Sequence, residues 1–230
     1  MAIKKRPVSP RQKMINLMYV VLMAMLAMNV STEVLNGFSI VEEGLRRSTN
    51  NSSSENNNIY ENFETQMRNN PVKTRVWYAR AQEVKKMSDN LYNFAEQLKI
   101  AIVKEADGEE GDIYNIENKE DLEAAEQVML SPINGKGKQL QKMIEDFRYK
   151  AKAMLNDERL QKIIDDNLST NVSKKAKALG KNWPEYMFEQ MPVAAAVTLL
   201  SKLQNDVRYA EGEMLHTLSA NISLKDIHVN

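Results

Sequence analysis

The sequence predicts an all-α chain: a single N-terminal transmembrane helix followed by a helical bundle outside the membrane. Three observations carry this reading. The run Met14–Val30 is free of charge and follows a wholly basic N-terminus. Long downstream segments repeat apolar residues at alternating three- and four-residue steps, the period of a helix with one buried face. Pro71, Pro132, Pro184 and Pro192 fall at the boundaries between segments, where helices tolerate them.

A chain of 230 residues holds one or two domains. Hydrophobic residues make up 43% and charged residues 27%, enough apolar side chain for a core under a solvated surface. The formal net charge of +0 gives no global field that would gather nucleic acid or acidic substrates. Charge is instead placed by position. Lys4, Lys5, Arg6, Arg11 and Lys13 precede the apolar run, and the first acid is Glu33. The absence of cysteine excludes disulfides, thiolate metal sites, catalytic thiols and a lipid-modified N-terminal cysteine. With only His216 and His228 present, imidazole chemistry has almost no material to work with.

The apolar run rises about 25 Å at ~1.5 Å per residue. A hydrocarbon core is roughly 30 Å thick, so the span borrows a few residues from its flanks. Ser9-Pro10-Arg11-Gln12 reads as a capping box, with Ser9 as N-cap, Pro10 at the first helical position and Gln12 reaching back. Basic residues before the span and Glu33, Glu42 and Glu43 after it put the N-terminus in the cytoplasm and the bulk outside. A cleaved signal peptide would need a small-x-small site. Ala27 could end one, but Met25 two residues earlier is bulky, and Val34, Leu35, Phe38 and Ile40 continue the helical character, so the helix reads as an uncleaved anchor.

The expected division is a cytoplasmic tail over 1–9, a transmembrane helix over 10–36, a periplasmic helical bundle over 37–221 and the start of a following β-domain over 222–230. Residues 48–58, rich in Ser and Asn, read as a polar low-complexity loop. One seam runs through Trp77, Ala81, Val84, Met87, Leu91, Phe94, Leu98 and Ala101. A second runs through Leu140, Met143/Ile144, Phe147, Ala151 and Met154. The third runs through Ala196, Leu199/Leu200, Leu203, Val207, Ala210, Met214 and Leu218. Shorter helices fit 60–69, 119–130 and 158–168. Ile222, Leu224, Ile227 and Val229 alternate with polar residues and read as a strand.

Arg11 lies in the first turn of the membrane helix. It could be an orienting charge that snorkels to the headgroups. Against that, a cation there opposes the helix dipole, and a carboxylate on a partner helix would justify it better. Asn16, Tyr19 and Asn29 interrupt the apolar span. Asn29 follows Arg11 by about five helical turns, so both share a face, with Leu22 and Met25 close to the line between them. Polar groups at membrane depth face protein rather than lipid, which assigns Asn16, Tyr19, Leu22, Met25 and Asn29 to helix packing; for Tyr19 and Asn29 an interfacial position would serve equally. The acidic loop Glu105–Asp112 misses calcium-loop spacing and reads as solvated. Lys174–Lys181 reads as a solvated face. No phosphate loop, nucleophile motif, metal-ligand pair or cofactor motif appears, so the chain is read as a non-enzyme. A tail of about ten residues is too short for a folded signalling module, which confines any transmission to the bilayer.

The run Ser9 to Tyr19, followed by Ala24 to Ser31, resembles the N-terminus of the GldM/PorM family, and Pro192 to Val207 resembles the end of that family's first periplasmic domain. The resemblance implies an inner-membrane motor subunit of gliding motility and type 9 secretion. It implies a homodimer whose two membrane helices sit inside a pentamer of a GldL/PorL-like multi-span protein and convert proton-motive force into motion. It further implies β-sandwich domains that reach outer-membrane ring components, and a pair between Arg11 and a membrane-buried glutamate of the partner, with Tyr19 in the same helix as Arg11. A passive membrane-anchored scaffold, with Arg11 only an anchor, is the alternative.

Overall fold

The computed structural model describes residues 9–28 and 30–227, with side chains for all of these except 22–28 and 223–227. Nine helices appear among them: α1 Pro10–Met28, α2 Thr32–Asn69, α3 Pro71–Asp107, α4 Ala124–Leu130, α5 Gly137–Met154, α6 Glu158–Asn167, α7 Lys174–Ala178, α8 Trp183–Phe188 and α9 Val193–Ile227. The fold class is helical throughout; the one β feature among the described residues is an isolated bridge between Asp112 and Asn115.

Local chemistry sets the boundaries. Ser31 is extended (φ −66°, ψ 147°), and its hydroxyl accepts from the Val34 amide, so α2 starts afresh at Thr32. The expected span over 10–36 therefore contains a helix break, and the helical character from Val34 onward belongs to the bundle, where Leu35 is buried. Asn70 alone separates α2 from α3. Its amide donates to Gln66 O at 2.8 Å and its side chain accepts from Lys73 N, with Pro71 opening the next helix. Gly108, at φ 90°, ends α3 in a conformation that disfavours side chains. The loop beyond it is tied back by Asp107, whose carboxylate accepts from the amides of Glu117 and Asn118.

Helix α9 is the axis of the bundle and packs on α2, α3, α4, α5 and α6. Its first turn is buried, and two of the donors that a helix start leaves open are met by the loop before α4: Val193 N–H donates to Asp121 O and Ala194 N–H to Lys119 O. Glu42, Thr49 and Asn56 of α2 meet Ser201, Asn205 and Arg208 of α9 in ascending order, so these helices are parallel. Asp89, Glu96 and Lys99 of α3 meet Arg208, Gln204 and Ser201 in descending order, so α3 runs against both.

The three predicted seams are present. Ala81, Val84, Leu91 and Leu98, then Leu140, Ile144, Phe147 and Ala151, then Ala196, Leu200, Val207, Ala210, Met214 and Leu218 are all buried in one core. The expected helices at 119–130 and 158–168 are α4 and α6, shorter at their edges, and the one at 60–69 is the end of α2.

Two expectations are overturned. Residues 48–58 are helix, not loop. Leu35, Glu42, Thr49, Asn56 and Phe63 are buried at seven-residue spacing, and the two polar members within 48–58 are held by partners on α9. Polar composition hid a heptad. The strand expected from residue 222 is also absent over its described part, because α9 continues to Ile227 and Ile222 is buried one turn beyond Leu218. Met214, Leu218 and Ile222 form a four-residue stripe, and that helical period outweighs the alternation. Residues 228–230 lie outside the described residues.

Asn57 is exposed inside the former loop. Asn57→Pro should lower stability by about 3 kcal/mol in urea denaturation, the cost of proline in a helix interior; a loop would accept it with little change. Leu200→Ala and Met214→Ala should each cost about 2–5 kcal/mol in the same measurement.

Candidate functional site

The predicted site residues lie on α1. Ser9 caps it through its hydroxyl, which accepts from Gln12 N at 3.2 Å. The Gln12 side chain does not complete the box as expected. Its amide donates forward to Asn16 Oδ1 at 3.1 Å, one turn along the same face. Arg11 is exposed in the first turn, and Tyr19 is 63% exposed. Met14, Ile15, Leu17, Met18, Val20 and Val21 are exposed as well, so apolar surface faces outward on every side of this stretch. The side chains of Leu22 and Met25, and Asn29 altogether, lie outside the described residues. No helix among the described residues is long and apolar enough to cross a membrane. The structure thus joins Asn16 to Gln12 but brings neither together with Arg11 or Tyr19.

A second polar constellation, which the sequence reading passed over, fills the seam where α2, α3 and α9 meet. Its lower part is built around Lys99, 2% exposed. Lys99 Nζ donates to Ser201 Oγ at 3.2 Å and pairs with Glu96 at 2.9 Å. Ser201 in turn donates to Glu42 at 2.9 Å, Arg46 pairs with the other oxygen of Glu42 at 3.0 Å, and Gln204 donates to Glu96 at 2.7 Å. The Arg46 guanidinium stacks on Tyr114, which ties the α3–α4 loop to α2. Beside this cluster is a polar cavity of about 90 Å³.

The upper part centres on Glu211. Tyr60 donates to its Oε1 at 2.8 Å, while Arg208 at 2.8 Å and Asn56 at 3.3 Å donate to Oε2. Arg208 also donates to Asp89 at 2.8 Å, and its guanidinium stacks on Tyr92 at 4.2 Å. Asn56 further donates to the Arg208 carbonyl at 2.9 Å. A Cβ at Gly212 would lie 2.8 Å from Asn56 Oδ1, so the glycine lets α2 come this close.

Burial sets the electrostatics. It pushes the Glu211 carboxyl above its ordinary range, although Arg208 and the Tyr60 hydroxyl oppose this. Burial, then the Glu211 charge, pushes the Tyr60 phenol up. For Arg208 burial pulls downward, but Glu211 and Asp89 outweigh it and hold the guanidinium up. Removing one partner from such a buried pair costs about 3–5 kcal/mol, whereas replacing the whole set by apolar groups is often neutral or stabilising. The network therefore discriminates between arrangements more than it adds stability.

Among the described residues no group of three or more His, Asp or Glu side chains is placed to hold a metal ion. What the seam offers is mechanical: three long helices tied by charged, directional contacts.

The sequence profile of the GldM N-terminal domain matches residues 33–221, most of the chain, from the first turn of α2 to within α9. The chain belongs to the GldM family. Its members are components of gliding motility and type 9 secretion, structural in role, associated with the inner membrane and with the other parts of that machinery. The GldM match ends within α9, beyond Glu211 and Leu218, so both seam clusters lie inside it. Comparison with curated proteins gives no match. The seam had a signal in sequence: Glu42, Thr49 and Asn56 at heptad spacing between Leu35 and Phe63, facing Ser201, Asn205 and Arg208 at four- and three-residue steps.

Because the folded chain keeps a proton on Glu211 that the unfolded chain gives up, stability falls as pH rises from the ordinary carboxyl value of 4.5 toward the raised folded one. Glu211→Gln removes this proton exchange. Urea titrations at a series of pH values should show a shallower fall with rising pH in the variant, even though its absolute stability is lower for want of the Arg208 pair.

Proposed function

We propose that the chain is an inner-membrane motor subunit that drives type 9 secretion and gliding, with α1 as its single membrane helix, the N-terminus cytoplasmic and the bundle periplasmic. Two copies pair in parallel, and their α1 helices sit within a pentamer of a GldL/PorL-like multi-span partner. Proton flow through that complex moves α1, and the bundle carries the motion toward outer-membrane ring components reached by further domains.

The observation that carries this reading is α1 itself. A helix with apolar side chains exposed on every side needs a lipid or protein surround, and the cation Arg11 stands in its first turn. A charge near the edge of the hydrocarbon costs less than the ~2.5–3.5 kcal/mol quoted for the helix centre, yet it still favours a carboxylate. A partner glutamate that gains and loses a proton would make and break that pair. Asn16, Tyr19, Leu22, Met25 and Asn29 then face protein rather than lipid. The extended Ser31 sets α1 off from α2, so the moving helix and the bundle meet at a defined joint.

The test scores Arg11→Ala and Arg11→Lys for secretion or gliding, and separately for complex assembly. Activity should be lost in Arg11→Ala while assembly persists, and lysine should rescue partly at most because it lacks the planar fork. Full activity in Arg11→Ala would leave Arg11 an orientation signal and the chain a passive scaffold. Single cysteines at positions 18, 22, 25 and 29, introduced into a chain that has none, should crosslink between copies with helical periodicity; uniform or absent crosslinks would oppose the paired helix.

A further inference from the structure

We infer that the buried polar seam is a register lock, which holds α2 at one axial position against α9 and α3 so that the three helices move as a single piece. Three observations lead here. The α2 seam is heptad-spaced, and a heptad pattern by itself fits a neighbour equally well after a slide of seven residues, about 10 Å along the axis. Leu35 and Phe63, being apolar, set no register against such a slide. Glu42, Thr49 and Asn56 do, because each meets a different chemical partner: Ser201, Asn205, and the Arg208 carbonyl with Glu211. One heptad out of register, Thr49 would stand where Asn56 now donates, and Glu211 and Arg208 would be buried without their α2 partners.

The lock is doubled on α3. Asp89 holds the outer side of Arg208, and Lys99 with Glu96 holds Ser201 and Gln204. These links run through α9, while Lys85 over the Tyr60 ring and the one-residue connection at Asn70 tie α3 to α2 directly, so α2 and α3 do not slide independently. The fit is close at Gly212, where an added Cβ would lie 2.8 Å from Asn56 Oδ1 and would force that side chain to shift. The purpose, keeping the joint at Ser31 in fixed relation to the rest of the bundle, rests on the proposed motor function. The existence of the lock does not.

The test uses the full chain in nanodiscs with spin labels at Asn58→Cys and His216→Cys, both exposed and on α2 and α9. The parent should give one interhelical distance. Making the upper cluster apolar by Asn56→Leu, Tyr60→Phe, Arg208→Met and Glu211→Leu should add a second population displaced by about 10 Å, with helical content and partner assembly unchanged. A milder pair, Tyr60→Phe with Glu211→Gln, should broaden the distribution in the same direction. If the apolar variant folds with a single, unmoved distance, the lock is refuted. If it fails to fold, the milder pair decides, and an unmoved distance there refutes the lock equally. Inactivity of Arg11→Ala, or its absence, leaves these distances untouched, so the two proposals fail separately.

Discussion

Glu211 is the contact on which the bundle turns. Its carboxylate is 2% exposed on α9 and takes hydrogen bonds from two residues of α2 and one of α9, and that last residue, Arg208, reaches across to Asp89 on α3. A buried carboxylate is costly unless its lone pairs are met by donors placed in advance. The observed arrangement of the three helices supplies those donors. Apolar packing along α9 supplies most of the driving force for assembly, but it is tolerant of small shifts; the directional contacts around Glu211 and Lys99 are not.

This division of labour also accounts for the route of the chain. α2 and α9 run parallel though far apart in sequence, and α3 returns between them in the opposite sense. The α4–α8 segment then crosses back and starts α9 inside the core, where the Lys119 and Asp121 carbonyls receive its first amides. Arg46 on Tyr114 fastens the same loop to α2 about four turns beyond Ser31. Under the proposed motor function, the joint at Ser31 is where motion arising in the membrane would reach the bundle.

The apolar seams were legible in sequence because their period is strong: Val84, Leu91 and Leu98, or Leu200, Val207 and Met214, repeat over several turns. The chain from 48 to 58 was not, because serine and asparagine carry turn and linker propensity, and tertiary partners override it. Thr49 and Asn56 are intelligible only opposite Asn205 and Arg208, more than a hundred residues away. The region from 222 was misread for the opposite reason: a short alternation looks like a strand until the stripe from Met214 through Leu218 is extended into it. The proposed site on α1, Arg11 and the polar positions after it, rests on charge placement and resemblance. Glu42, Lys99, Arg208 and Glu211 look like ordinary surface charges in sequence, and only the packing of three helices makes them interior.

The most direct measurement is a double-mutant cycle between helices, with Tyr60→Phe and Glu211→Gln made singly and together and stability read by urea denaturation. A seam that works as one network predicts a coupling of about 0.5–3 kcal/mol between the two positions. Additive losses, with a coupling indistinguishable from zero, would contradict it and leave the apolar core as the sole source of the bundle's order.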